Sequence, residues 1–233
     1  MYRQQSLITL DQFYEMKPLS KLEALLSFID YSLFEEVFPY DAHRRGPKGY
    51  SKKQLFTTLM AMPVEQLSDI KALVTRLKSD PVLRRSLGYD YTNDTPSAAT
   101  LNRFITLLSG TDILERTFRR MVCKARKLGL IDGTNVAIDA SKLTAYEHAV
   151  PKSRIPPDNP SFPNWGGKLD TNGNFIKWFG WKMHALVDTY SGIPISYIIT
   201  PANIADMDVA EDLIQKMMVD YENGLTPKYY MMD

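Results

Sequence analysis

The stretch NVAIDAS at residues 135–141 alternates Val136 and Ile138 with Asn135, Ala137 and Asp139, the two-residue period of a β-strand with one buried face. It also carries an acid among small neighbours. Aspartate is depleted from strands, and a carboxylate buried in one is costly unless it is paired or binds metal. Asp139 is therefore the first candidate functional residue. Asp132, in the turn-like DGT seven residues earlier, reads as a turn residue.

Downstream, five prolines between residues 151 and 163 predict a surface loop bridging two strands. FIKWFGWKMHALVDTY and GIPISYIIT, from Phe175 to Thr200, read as a hairpin joined at Ser191-Gly192. PANIADMDVAEDLIQKMM then supplies a helix. Asp208 and Glu211 have the spacing of a capping box, and Val209, Ala210, Leu213, Ile214, Met217 and Met218 form the buried stripe. KYYMMD closes the sequence as a short strand ending in Asp233. The order is strand, strand, strand, helix, strand. If the last strand lies parallel to the first at the usual spacing of about 4.8 Å, Asp139 and Asp233 converge. Paired carboxylates suit the hard cation Mg²⁺, and two such ions about 4 Å apart can activate a water or hydroxyl and stabilise the departing oxygen of a phosphodiester.

Upstream of Gly129 the period is helical. Apolar residues from Leu22 to Phe34 predict a helix running from Ser20 to a stop at Pro39, and Ser51 is placed to cap a second that stops before Pro63. Further helices are expected over Ser68–Leu77, over Pro81–Leu87 with Gly88 as terminator, and over Ser97–Leu108 with Gly110 after it. In the helix expected from Asp112 to Leu128, Leu114, Phe118, Met121, Val122, Ala125 and Leu128 share one face. Arg116, Arg119, Arg120, Lys124, Arg126 and Lys127 share the other, with no acid among them, and Cys123 beside the stripe reads as packing.

A second acid-free cluster, HRRGPKGYSKK at 43–53, holds Arg44, Arg45, Lys48, Lys52 and Lys53. In TPSAATLNRF at 95–104, Ser97, Thr100, Asn102 and Arg103 are types that reach phosphates and base edges, although Thr95 or Ser97 as a helix cap accounts for most of that pattern. Residues 1–130 carry 20 Lys and Arg against 14 Asp and Glu, net +6, whereas residues 131–233 carry 8 against 13, net −5. Such asymmetry points to nucleic-acid contact in the basic part.

At 233 residues, 44% hydrophobic and 24% charged, the chain is neither disordered nor fibrous. One cysteine excludes a disulfide framework and a thiolate zinc site. No apolar run approaches a membrane span, and the charged amino terminus is unlike a signal peptide, so a cytoplasmic protein is expected.

The sequence resembles the DDE transposases of bacterial insertion sequences of the group numbered four and five. The resemblance rests on VAIDASKLTA, NWGGKLDTNGNFIKWFGWKMHALVD, GIPISYIITPANIADMD and KYYMMD in the second half, and on GYSKKQLFTTLMA, LSDIKALVTRLKSDPVLRRSLGYD and TPSAATLNRFITLL in the first. It runs from about Gly49 to the end, most specifically from Gly180 to Asp206. It implies an α+β protein: an all-α amino-terminal domain over 1–130 and a partial ribonuclease-H-like α/β domain with a mixed sheet over 131–233. It also implies Mg²⁺-dependent (or Mn²⁺-dependent) cleavage and strand transfer at terminal inverted repeats into target DNA, self-association, no membrane, and association with the nucleoid.

Asp139 matches the family's first catalytic and metal-binding aspartate, and Asp233 the second. Lys182, His184, Asp188, Asn203 and Asp206 match recurrent positions without a metal role, and the simplest reading of His184 is a strand histidine satisfied by a hydrogen bond. The third acid, a glutamate on a later helix, has no counterpart before the sequence ends. The expectation is thus the front part of a transposase, inactive alone. The alternative is a catalytically incomplete DNA-binding fragment that regulates transposition, and a remoter one is an unrelated Mg²⁺-dependent nuclease.

Overall fold

A computed structural model describes residues 9, 12, 16, 20–39, 49–90, 94–156, 159, 161–169, 172–221 and 225–232. The chain divides into two compact units, Met1–Met121 and Val122–Asp233.

The first unit is helical: α1 (Lys21–Phe28), α2 (Ser32–Val37), α3 (Lys52–Val64), α4 (Ile70–Ser79), α5 (Pro81–Ser86), α6 (Ala98–Ser109) and the start of α7 (Ile113–Lys127). Side-chain caps set the boundaries. Ser20 and Glu23 form a reciprocal capping box, Ser51 accepts from the Gln54 amide, Asp69 caps α4, and Asp80 caps α5 with Pro81 at its first position. Leu33, Leu73, Leu77, Leu101 and Ile113 are fully buried in one core, with Phe34 against Phe56 at 4.6 Å.

Two boundaries differ from the sequence reading. The helix expected across Ser20–Pro39 breaks at Ile29–Tyr31, because the Asp30 carboxylate accepts from the Ser32 amide and starts a new helix. α3 runs through Pro63 instead of stopping before it. Pro63 falls in the last turn, where little helix remains to be disrupted.

The second unit is a five-stranded mixed sheet: β1 (Asn135–Thr144), β2 (Asn164–Leu169), β3 (Phe175–Asp188), β4 (Pro194–Pro201) and β5 (Tyr229–Met232), with α8 (Asp206–Asp220) between β4 and β5. β3 is long enough to pair β1 along one edge and both β2 and β4 along the other. Where β2 gives way to β4, Gly180 has φ +154°, and a Cβ there would fall on the carbonyl oxygen of Leu143, so only glycine fits. α8 lies against β4 and β3 and buries Val209, Leu213 and Met217 against the sheet face of Val136, Ile138, His184 and Leu186. The remaining residues of its expected stripe are less covered, with Met218 54% exposed. An α+β chain with a ribonuclease-H-like second unit is what the fold provides.

β2 is an addition to the expected strand order. Two glycines in NWGGKL and the prolines before it hide its strand character. The capping box expected at Asp208 and Glu211 is absent: Ala205 is the N-cap, without a side-chain bond, and the helix starts at Asp206.

Candidate active site

β1 lies inside the sheet, between β3 and β5. Val136 and Ile138 face the α8 side and are buried, so alternation turns Asp139 to the opposite face, where it is exposed. The strand is internal, as expected, but the carboxylate is exposed, so the expected cost of burying it does not arise. Its recorded hydrogen bond is from the Ala140 amide, 2.7 Å, and it has no ion-pair partner among the described residues.

β5 pairs parallel with β1, Val136 opposite Tyr230 and Ile138 opposite Met232. This is the parallel pairing on which convergence of Asp139 and Asp233 was conditional. The next residues along the two chains are Asp139 and Asp233, and Asp233 lies outside the described residues. No group of three His, Cys, Asp or Glu suited to a metal occurs among the described residues.

On the α8 side, three of the recurrent positions come together. Lys182 donates to Asp206 Oδ1 and to the Ile204 carbonyl, both at 3.0 Å, which ties the first residue of α8 to β3. Engaged in this way, Asp206 also favours the positive end of the helix. His184 is fully buried, its Nε2 2.9 Å from Thr200 Oγ1. The Thr200 hydroxyl also lies 3.2 Å from the Pro201 carbonyl, to which it can donate. His184 Nδ1 lies 3.4 Å from Asp206 Oδ1 without hydrogen-bond geometry and makes no other hydrogen bond among the described residues. The histidine is thus a hydrogen-bonded strand residue. Asp188 is also fully buried, accepting from the Gly133 amide at 2.8 Å and from the Ser191 amide and hydroxyl at 2.9 and 2.7 Å. It builds the β3–β4 turn. Asn203 is exposed.

Burial pushes His184 below the ordinary imidazole value of 6.5; the Asp206 carboxylate opposes that shift and Lys182 adds to it. A histidine held neutral in the fold binds fewer protons than in the unfolded chain. Its contribution to stability is therefore complete above about pH 6.5 and is lost as the pH falls below that value. Urea melts at pH 7.5, 6 and 5 should show falling stability, and His184→Asn should remove the part that sets in near pH 6. A wild type equally stable at pH 7.5 and 5 contradicts the assignment.

The expected DNA-contacting residues sort into several environments. Arg44, Arg45 and Lys48 lie outside the described residues. Lys52 is half-buried with Nζ 5.9 Å from the Phe104 ring centre, and exposed Lys53 is 4.5 Å from that of Tyr31. Ser97 caps α6, accepting from the Thr100 amide and pairing with its hydroxyl at 3.0 Å. Asn102 and Arg103 are exposed on the same helix.

On α7 the buried residues are Ile113, Thr117, Val122 and Ala125, while Leu114, Leu128 and Cys123 are exposed, a rotation from the stripe expected. The basic face is also partly neutralised. Arg116 meets Glu36 at 2.6 Å and Asp112 at 3.9 Å, and Arg120 meets Asp30 and Ser32 at 2.7 Å each. Arg119 is half-buried, whereas Lys124, Arg126 and Lys127 are exposed.

A family model described as transposase domain (DUF772) matches residues 8–107, and one described as transposase DDE domain matches residues 125–233. The chain belongs to the DDE transposases. No curated protein and no solved structure matches it. In the second unit of this DDE transposase, Asp139 is an exposed acid on an internal strand with which β5 pairs in parallel. The Lys182–Asp206 bridge and the Asp188 turn hold β3, β4 and α8 around that strand. No helix among the described residues is long and apolar enough to cross a membrane.

Proposed function

We propose that this transposase binds the terminal inverted repeats of its element through residues 1–130 and cleaves and transfers DNA strands through residues 131–233, using Mg²⁺ or, in its place, Mn²⁺. The observation that carries the reading is the parallel β1–β5 ladder. It ends with Ile138 opposite Met232, one residue short of Asp139 on one strand and of Asp233 on the other. An exposed carboxylate with no ion-pair partner among the described residues suits a hard cation that retains water ligands. Asp139 and Asp233 would hold it. When bound, Mg²⁺ lowers the pKa of a water or hydroxyl and stabilises the oxygen leaving phosphorus. The chain's own part is to fix the spacing of two strands and to present the phosphodiester to the exposed face of β1. Self-association and capture of target DNA belong to the same reading.

For DNA binding, Lys124, Arg126 and Lys127 are the positions taken on α7, because all three are exposed and together make its last turn cationic. Each phosphate neutralised contributes about −0.9 to the slope of log K against log salt. Binding of terminal-repeat duplex between about 50 and 200 mM salt should weaken by orders of magnitude, and reversing all three residues to Glu should flatten the slope by about 3. Affinity indifferent to salt, or unchanged by the triple reversal, overturns this part of the reading.

A further inference from the structure

The face of the sheet that carries Asp139 continues along β3 to a feature that phosphodiester cleavage leaves unused. Gly167 pairs with Lys177 and Leu169 with Phe175, and Trp165 pairs with Phe179, so alternation sets Trp165, Phe175, Lys177 and Phe179 on one side of the β2–β3 ladder. On β3 the same parity reaches Ala185, the partner of Asp139. Eight residues separate Lys177 from Ala185, about 26 Å at roughly 3.3 Å per residue.

The β2–β3 ladder carries a cleft of about 450 Å³ lined by Pro151, Lys152, Trp165, Gly167, Phe175 and Lys177 among others. Gly167 lets the Phe175 ring lie against the ladder at the edge of this cleft, since a Cβ there would fall on the tip of the ring. Phe175 is nevertheless 60% exposed, so it is not core. The Lys177 ammonium lies 5.7 Å from its ring centre. Trp165 is fixed by a 2.8 Å hydrogen bond from its indole N–H to the Val150 carbonyl and by Phe179 at 5.6 Å. The described lining contains two lysines and no acid.

We propose that this cleft binds an unpaired DNA strand, with a base stacked on Phe175 and the flanking phosphates on Lys152 and Lys177; the proposal rests on the transposase reading and names a second contact for its substrate. An exposed ring beside cations, on a rigid ladder, is the combination that holds single strands, since every base offers a face to stack and every linkage a charge. A volume in the range of small-ligand pockets admits a base, not a duplex, so the partner must have bases out of their pairs. Lying on the Asp139 face, the cleft would hold the strand that leads to the phosphodiester being cut.

The test compares fluorescence anisotropy of a labelled oligothymidine and of a labelled terminal-repeat duplex on the full chain, in wild type, Phe175→Ala, Phe175→Tyr and the double variant Lys152→Glu/Lys177→Glu. Phe175→Ala should weaken oligothymidine binding by about ten- to hundredfold and leave duplex binding within about twofold. Phe175→Tyr should retain binding of both, and the charge reversal should weaken oligothymidine binding and reduce its salt dependence. Unchanged melting curves exclude loss of folding.

Equal effects on both DNAs, or none on oligothymidine, overturn the proposal. A wild-type chain that binds the duplex but not the single strand overturns this site and leaves the transposase reading standing. A chain that binds neither overturns both.

Discussion

In a transposase that also supplies the family's glutamate, replacing Asp139 with alanine should lower divalent-cation-dependent cleavage of terminal-repeat DNA by at least about a thousandfold, roughly 4 kcal/mol of transition-state stabilisation. A carboxylate that helps hold a cation acts on the developing charge of the reaction, so its removal appears in the rate more than in substrate binding. Its removal should leave the fold intact, because the side chain is exposed and its recorded bond is to the neighbouring amide. The same variant should abolish Mn²⁺-induced broadening of the Ala140 and Met232 amide signals, a readout that does not depend on turnover. Cleavage within tenfold of wild type, or undiminished broadening, would assign the cation to other ligands.

Asp188→Ala should cost the second unit about 3 kcal/mol, with no effect on the first. The carboxylate is fully buried. Burial, the strongest single influence, pushes its pKa up, but hydrogen bonds from Ser191, Gly133 and Asp132 together hold it below the ordinary carboxylate value. Alanine leaves the amides of Gly133 and Ser191 without their acceptor, at about 1–3 kcal/mol for each donor that stays dry. All three tryptophans, Trp165, Trp178 and Trp181, belong to the second unit, so tryptophan emission follows that unit selectively during a urea melt. Asp188→Asn should fall between the two, since it keeps an acceptor and loses the charge. A tryptophan-detected midpoint unchanged in the alanine variant would show that the turn does not depend on the carboxylate.

The short last strand is present as expected, and the central strand was legible because alternation over five to seven residues is a local signal. So were the caps at Ser51 and Ser97, each a single side chain folding back on its own helix. What escaped depends on residues far apart in sequence. Arg116 and Arg120 read as open cations because their acids, Glu36 and Asp30, are 80 and 90 positions away. The start of α8 was misplaced by three residues because Asp206 is drawn to Lys182, 24 positions before it. β2 was missed for a different reason: its glycines remove the side chains by which a strand is recognised, and their use is visible only when Trp178 and Phe175 are seen occupying the room they leave. Strand alternation singled out Asp139 as a position and the family resemblance matched it, while its exposure comes from the phase of the alternation relative to α8.

The second unit has two unlike sheet faces. One is closed by α8 over Val136, His184 and Leu186; the other bears Asp139 beside exposed Ile199, Tyr229 and Met231. Residues that keep the unit folded and residues that would meet a substrate therefore alternate along the same strands without sharing neighbours. Substitutions on the open face can accumulate at little expense in stability, so contacts to a substrate can drift there while the scaffold beneath stays constant. On the closed face the opposite holds, and a change at one of its positions should be tolerated only together with a matching change in α8.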